Sequence, residues 1–333
     1  MVKRAPARLR VGVPRALLYY EYFPFWRAFL EALGCQVVLS GPTTVKTVEA
    51  GARLAVDEAC LPVKLFYGHV AELLGRVDAI WVPRVVSVEQ REYTCPKFLG
   101  LPDMIRFAFK DARIIDTTVD LRRGPGRLYK ASCVAGHSLG ASACRALAAC
   151  RQGLAAQRRF QTLMASGFTA GEALGEGGTD NPGCLASGDR HRIAVLGHSY
   201  IVHDARAGMG ILPCLRRLGH QVLTAEVIPP KAVAATAARL PKALFWTYEK
   251  RVLGSAYYLL RHGLVDGIIQ VVSFGCGPDS MVGELIQREA AQTMRVPYMA
   301  LTLDEHSGEA GVYTRLEAFL DMLGRRVAWG VGS

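Results

Sequence analysis

Three of the nine cysteines share a context that the other six lack. Cys60 is followed by Leu61-Pro62, Cys95 directly by Pro96, and Cys276 by Gly277-Pro278. Proline suits a first helical turn, where its missing N–H would be unpaired in any case. Each cysteine is therefore predicted to sit in a loop just before a helix. The positive helix end favours the thiolate, which is the form that binds metal. Three thiolates fall one short of a closed tetrahedral zinc site. They suffice for a [4Fe–4S] cluster whose fourth iron stays open to water, sulfide or substrate, an arrangement suited to chemistry at the cluster. No Cys-x-x-Cys pair occurs, so neither a zinc ribbon nor a ferredoxin site is signalled. The competing reading for any one of them is a buried core thiol. That reading is taken for Cys35 and Cys214, which fall in apolar stretches; Cys133, Cys144 and Cys150 lie in a helical segment and Cys184 in a loop.

Other groups fall where ligands bind in α/β proteins. His198, His203 and Asp204 follow a predicted strand, and Asp304, Glu305, His306 and Glu309 follow another. Glu305 and His306 are candidates for acid–base work or for hydrogen bonds to cluster sulfurs, against a capping role for Ser307 at a helix start. Glu58 and Lys64 flank Cys60, and Arg84 stands at a strand end; cleft polarity competes there with plain surface solvation. The candidate catalytic set is Glu58, His198, Glu305 and His306. Gly197-His198-Ser199-Tyr200-Ile201 begins like a nucleophile elbow but lacks its second glycine, which argues against a serine hydrolase. With no Gly-Lys dipeptide there is no Walker A loop, so any ATP chemistry belongs to a partner.

The elements that must position these groups alternate along the chain. Strands are predicted at LRVGVP, CQVVLS, VDAIWVP and ARIIDT, then at HRIAVLG, HQVLTAE, VDGIIQVVS and PYMALTL, with helical patterns between them. Apolar runs alternating with helices indicate parallel sheets built from βαβ units. The two halves repeat. Leu33-Gly34-Cys35-Gln36-Val37 reads against Leu218-Gly219-His220-Gln221-Val222, and Val77-Asp78-Ala79-Ile80 against Val265-Asp266-Gly267-Ile268, at nearly one offset. The expected fold is α/β: two Rossmann-like (flavodoxin-like) domains related by duplication, over residues 1–120 and 190–333. A basic helical linker over residues 121–189 joins them and ends in the Gly-rich stretch GEALGEGGTDNPG, which reads as a mobile loop or hinge. Ligands in such sheets bind beyond the carboxyl ends of the strands, so two facing domains predict a cleft.

Composition bounds the class. The chain has 333 residues, 50% hydrophobic and 21% charged, which suits two folded domains and excludes a disordered chain. No apolar stretch approaches the length of a membrane span, and the basic start lacks the order of a signal peptide. Nine cysteines without a disulfide-like spacing predict reduced thiols in the cytoplasm. The net charge of +11 is uneven: from Leu121 to Phe160 there are eight basic residues and no acidic one. Such a block either attracts anions or is a solvated helical face; no recognition motif accompanies it, so nucleic acid is not the expected partner.

VGVPRALLYYEYFPFW, VDEACLPVKLFYGHV, VPRVVSVEQREYTCPKFLGLPDM, SFGCGPDS and LDEHSGEAGVYTRLEAFLDML resemble segments of the acyl-CoA dehydratase activase-related proteins. That family is related to the iron–sulfur subunits of 2-hydroxyacyl-CoA dehydratases and to the double-cubane cluster proteins. The resemblance covers roughly residues 9–120 and 190–325. It implies a cytoplasmic protein of anaerobic metabolism with an iron–sulfur cluster, [4Fe–4S] or double-cubane [8Fe–9S], between two Rossmann-like domains. Cys60, Cys95 and Cys276 fall on the family's ligand motifs. It further implies a separate ATP-dependent activase as electron donor, an acyl-CoA or small-molecule substrate, and a homodimer as one assembly. The expected role is a low-potential reductase or electron-accepting component. A true 2-hydroxyacyl-CoA dehydratase (a lyase) and a non-enzymatic cluster- or metal-binding scaffold are the alternatives. The chain departs from the dehydratases in being one short polypeptide.

Overall fold

The structure, a computed structural model, describes residues 8–176, 190–240, 242–293 and 296–328. The chain forms two compact units: Met1–Val56 with Val63–Phe160, and Asp57–Pro62 with Gln161–Ser333. Asp57–Pro62, which carries Cys60, thus belongs with the second unit.

The first unit runs β1 (Arg10–Val13), α1 (Tyr19–Ala32), β2 (Gln36–Leu39), α2 (Val45–Leu54), α3 (Leu61–Leu73), β3 (Ala79–Trp81), β4 (Arg84–Ser87), α4 (Pro96–Ala108), β5 (Ile114–Ile115), β6 (Thr118–Asp120), α5 (Arg127–Ser138) and α6 (Ala143–Ala165). The second runs α7 (Ala170–Ala173), β7 (Arg192–Leu196), α8 (Ser199–Val202), α9 (Ile211–Arg217), β8 (Gln221–Leu223), α10 (Pro230–Ala237), α11 (Thr247–Arg261), β9 (Gly267–Ser273), α12 (Gly277–Thr293), β10 (Tyr298–Leu303) and α13 (Glu309–Ala328).

Each unit holds a four-stranded parallel sheet, ordered β2-β1-β3-β5 in the first and β10-β9-β7-β8 in the second. Numbered within its own unit, each sheet has the same order, second-first-third-fourth, as the α/β duplication predicts. The repeated sequence segments make repeated structure. In Leu33-Gly34-Cys35-Gln36 the glycine ends α1 at φ 86°, and Cys35 N–H bonds the Leu30 carbonyl at 3.0 Å. Gly219 ends α9 at φ 81°, with His220 N–H on the Leu215 carbonyl at 3.1 Å. Both are helix stops that need a residue without a Cβ, and the Gln-Val that follows enters the second strand of its unit. Likewise Arg10 N–H bonds Asp78 at 2.7 Å, and Arg192 N–H bonds Asp266 at 2.7 Å; each pins a first strand to the entrance of a third.

Two short segments exceed the sequence reading. VDAIWVP and ARIIDT each read as a single strand, but each continues past a break, and β4 pairs with β6 as a separate two-stranded parallel sheet. Pro83 supplies no N–H to the ladder, and Val82 and Arg84 carry the bonds on either side of it, to Ile115 and Thr117. Arg84 then forks onto Asp103 at 2.8 and 2.9 Å, so it fastens β4 to α4.

The basic segment packs with the first unit as far as Phe160. On α6, Ala146, Ala149, Cys150, Gln157 and Phe160 are buried at helical spacing, and the Gln157 amide donates to the Glu21 carbonyl at 2.7 Å. Arg145, Arg151, Arg158 and Arg159 lie on the exposed face. The linker cysteines divide between the two faces: Cys150 is buried, Cys133 half-buried and Cys144 exposed. Of the Gly-rich stretch, residues 171–173 lie within the capped turn of α7 and residues 174–176 follow it; residues 177–183 and Cys184 lie outside the described residues.

The second core gathers Ala194, Leu196, Val252, Leu253, Leu260, Ile268 and Ile286 between sheet and helices. Near it, Glu226 faces His203 at 3.3 Å. Burial alone would raise the Glu226 pKa, but His203, Arg251 and the Thr224 hydroxyl outweigh it and bring it to about 2, from an ordinary 4.5. The stability this contributes is present above the unfolded value and lost as pH falls through the folded one. Glu226→Gln is expected to destabilise the metal-free chain by about 2–3 kcal/mol at pH 5, measured by urea unfolding, with the difference from wild type vanishing near pH 2.

Candidate metal centre

The order β10-β9-β7-β8 sends the chain from β7 to one side and returns it to β9 on the other. The carboxyl ends of these neighbouring strands are a topological switch point, where open α/β sheets bind ligands. The loop after β7 carries His198 and the loop after β9 carries Cys276. Gly197 permits a close approach there, because a Cβ on it would stand 2.4 Å from the Val271 carbonyl oxygen.

His198 lies 4% exposed between two carboxylates. Its Nδ1 is 2.9 Å from Asp279 Oδ2 and its Nε2 is 3.6 Å from Glu249 Oε1. Asp279 and Glu249 are 0% and 1% exposed. The imidazole stacks on Tyr200, centroids 4.9 Å apart, and meets the edge of Tyr248 at 6.3 Å. Burial opposes the imidazolium, but Asp279 and Glu249 outweigh it and raise the His198 pKa to about 10. The Asp279 contact is an ion pair lying off the hydrogen-bonding direction. Both Asp279 oxygens, Glu249 Oε2, Ser199 Oγ and Thr247 Oγ1 are buried without a hydrogen bond. His198, Cys276 and Asp279 each offer one ligand atom, and these atoms all lie within 4.8 Å of one another.

The expectation that a helix start would favour thiolate fails for Cys276. Burial pushes its pKa well up, and the negative charge of Asp279 adds to this; the Asp279 N–H pulls the other way without prevailing. Helix polarity is a fraction of a charge, whereas the acids facing this thiol carry whole ones. A cation is what would make Cys276 a thiolate here.

Cys60 stands against the same loop. Leu61 N–H donates to Ser273 Oγ at 3.2 Å, and a Cβ on Gly275 would lie 4.0 Å from Cys60 Cα and 3.8 Å from the Glu58 carbonyl oxygen. The Glu58 side chain is exposed, and it is its backbone that meets this loop. Cys60 and Cys276 are both half-buried, accessible yet not free-standing. Cys95, also half-buried, is the N-cap residue of α4 in the first unit, with Pro96 at the first helical position as its spacing predicts. Thr94 Oγ1 donates to the Val85 carbonyl at 2.6 Å and ties that loop to β4.

The remaining candidates bond to other partners than the cysteines. Asp304 accepts from His306 N–H at 3.0 Å and from the Ser307 hydroxyl at 2.8 Å, which holds its pKa down. His306 projects with its side chain 87% exposed, 3.9 Å from Glu305, and Glu309 pairs with Arg206 at 2.6 Å. Asp204 accepts the N–H groups of Arg206 and Ala207, both at 2.8 Å, and so shapes its own loop. Cys35 is buried, and burial raises its pKa, in keeping with a core role; Cys214 is half-buried on α9. Lys64 is buried within α3.

Asp279, Glu249 and Tyr200 escaped the sequence reading. A faint signal existed for Asp279, which stands one helical turn after Cys276 in Cys-Gly-Pro-Asp. Glu249 opens the amphipathic α11, and only packing reveals that it points inward.

Residues 10–228 match the family described as the CoA enzyme activase uncharacterised domain (DUF2229), and the chain belongs to that family. No curated protein matches it. No helix among the described residues is long and apolar enough to cross a membrane. The donors present fit a thiophilic metal group. Cys60 and Cys276 are accessible thiols in one unit, and beside them buried oxygens lack partners that a cation would supply.

Proposed function

We propose that the chain is an iron–sulfur protein related to the 2-hydroxyacyl-CoA dehydratases, fed with electrons by a separate ATP-dependent activase. Cys60, Cys95 and Cys276 are its cluster ligands in this reading, with a [4Fe–4S] or double-cubane group. When bound, that group supplies one-electron chemistry at low potential. The carrying observation is that Cys60 and Cys276, far apart in sequence, meet at the switch point of the second sheet beside buried groups that lack partners. The helix start after Cys276 directs the Asp279 N–H at its sulfur. The low exposure of His198, Asp279 and Glu249 keeps water from one side of the site. The substrate in this reading is an acyl-CoA or another small molecule reduced in the cytoplasm, and a homodimer is its natural assembly. The dehydratase reaction itself is the alternative, and acyl-CoA turnover would select it.

Activase-driven reduction tests the reading. Anaerobic protein mixed with an activase of this class and reductant should bleach in its visible cluster absorption only when ATP is added. Bleaching indifferent to ATP, or a cluster that no activase reduces, would contradict the electron-accepting role.

A further inference from the structure

The His198, Cys276 and Asp279 constellation has a property that three cysteines alone do not require. Its ligand atoms sit within 4.8 Å of one another, in one unit, without Cys95. Two donors on a single zinc or ferrous ion lie at most about 4.5 Å apart, as bond lengths of about 2.0–2.3 Å dictate. Donors to separate irons of a cluster stand farther apart, because the cluster's own width comes between them. The bound of 4.8 Å here lies a few tenths of an ångström beyond that limit, so a small inward movement of these side chains brings all three onto one ion.

We propose that the metal-free chain binds a single borderline divalent ion, zinc or ferrous iron, on His198, Cys276 and Asp279 of the second unit. This does not depend on the cluster reading. The ion and the cluster would be alternative occupants of Cys276.

Four observations converge on the site. The donor set of imidazole, thiolate and carboxylate is that of borderline divalent ions rather than calcium or magnesium. Asp279 and Glu249 are two buried carboxylates that share one imidazolium, and neither Asp279 oxygen has a hydrogen bond, so the group holds buried negative charge that a metal cation would meet. His198 presents Nδ1 to Asp279 at 2.9 Å, close to the separation of two donors on one ion, which leaves Nε2 facing Glu249 at 3.6 Å. That outward carboxylate is the partner a metal-bound histidine usually has, fixing the ring and its tautomer. Finally, the site lies at the strand-end switch point, where an ion can enter through the half-buried Cys276. The ion replaces the thiol proton of Cys276 and the Nδ1 proton of the His198 imidazolium, and both pass to solvent. Asp279 and Cys276 are bound directly, and Glu249 acts through His198 as a positioning residue.

Cobalt(II) is the spectroscopic probe, added to reduced, iron-free, full-length protein. The expected result is one ion per chain, with thiolate-to-cobalt absorption in the near ultraviolet and the intense visible bands of four-coordination. Cys95→Ser should titrate like wild type. Cys276→Ser should lose the thiolate band, and Asp279→Asn and Glu249→Gln should each weaken binding about 10–100-fold. Because a variant can fail to fold, zinc is also added to wild type and Cys276→Ser with thermal unfolding as readout. Zinc should raise the wild-type midpoint and leave the variant unmoved. Absence of binding by the wild-type metal-free chain, or binding that needs Cys95 as much as Cys276, would overturn the proposal. So would a thiolate band and affinity unchanged in Asp279→Asn. The cluster reading is judged separately, by iron and sulfide content, so either can fail alone.

Discussion

His198→Leu should cost the metal-free chain about 3–5 kcal/mol, the usual penalty for removing one member of a buried charged set. Leucine fills the ring's space but leaves Asp279 and Glu249, 0% and 1% exposed, facing each other with no cation between them. In a unit of this size about 1 kcal/mol shifts the midpoint by about 2–4 °C, so the loss should be about 6–20 °C. The pH dependence identifies the cause. The folded pKa of His198, about 10, stands above its ordinary 6.5, so the stability it contributes is full below the ordinary value and lost as pH rises through the folded one. Wild-type protein in chelator should lose stability between about pH 7 and 10, by up to about 1.4 kcal/mol per pH unit, and the leucine variant should lack that slope. Urea unfolding at pH 6, 8 and 9.5 checks both parts. Equal stability of the two proteins at pH 6 would refute the assignment of a buried imidazolium.

The second large effect concerns the cysteines. Cys60→Ser, Cys95→Ser and Cys276→Ser should each lose nearly all the iron, from about four or more per chain, since three thiolates leave no spare ligand. Cys35→Ser should keep its iron, because Cys35 is a buried residue at the stop of α1. Iron analysis on anaerobic preparations, with circular dichroism to confirm folding, reads this directly. Full iron content in Cys60→Ser would remove that residue from the site, whatever becomes of the other two.

Much of the fold was legible because it rests on local signals. The Leu-Gly-x-Gln-Val repeats encode a helix stop followed by a strand, and the Val-Asp repeats place Asp78 and Asp266 where each holds an arginine. Both depend on residues close in sequence or on a single strand neighbour. What escaped depends on packing. The continuation into β4 hides behind Pro83, which reads as an end but only skips one ladder bond. The membership of Asp57–Pro62 in the second unit has no local signature at all.

The site divides in the same way. Cys60, Cys95 and Cys276 stood out through the prolines that follow them, a feature of local helix starts. Their environment was only partly legible: Asp279 lies one turn after Cys276 in the same helix, but Glu249 and Tyr200 become its neighbours only when α8 and α11 pack beside it. Reading the helix start alone also gave the wrong sign for the Cys276 pKa, because the burial that chiefly raises it comes from the fold.

The central claim is that these thiols hold an iron–sulfur cluster. Iron and acid-labile sulfide per chain on anaerobically purified wild-type protein, with visible and electron paramagnetic resonance spectra before and after reduction, test it most directly. About four or more irons with matching sulfide, and a paramagnetic signal that appears or changes on reduction, is the result predicted. Protein that contains no iron or sulfide, and that takes up none on anaerobic reconstitution, would contradict it.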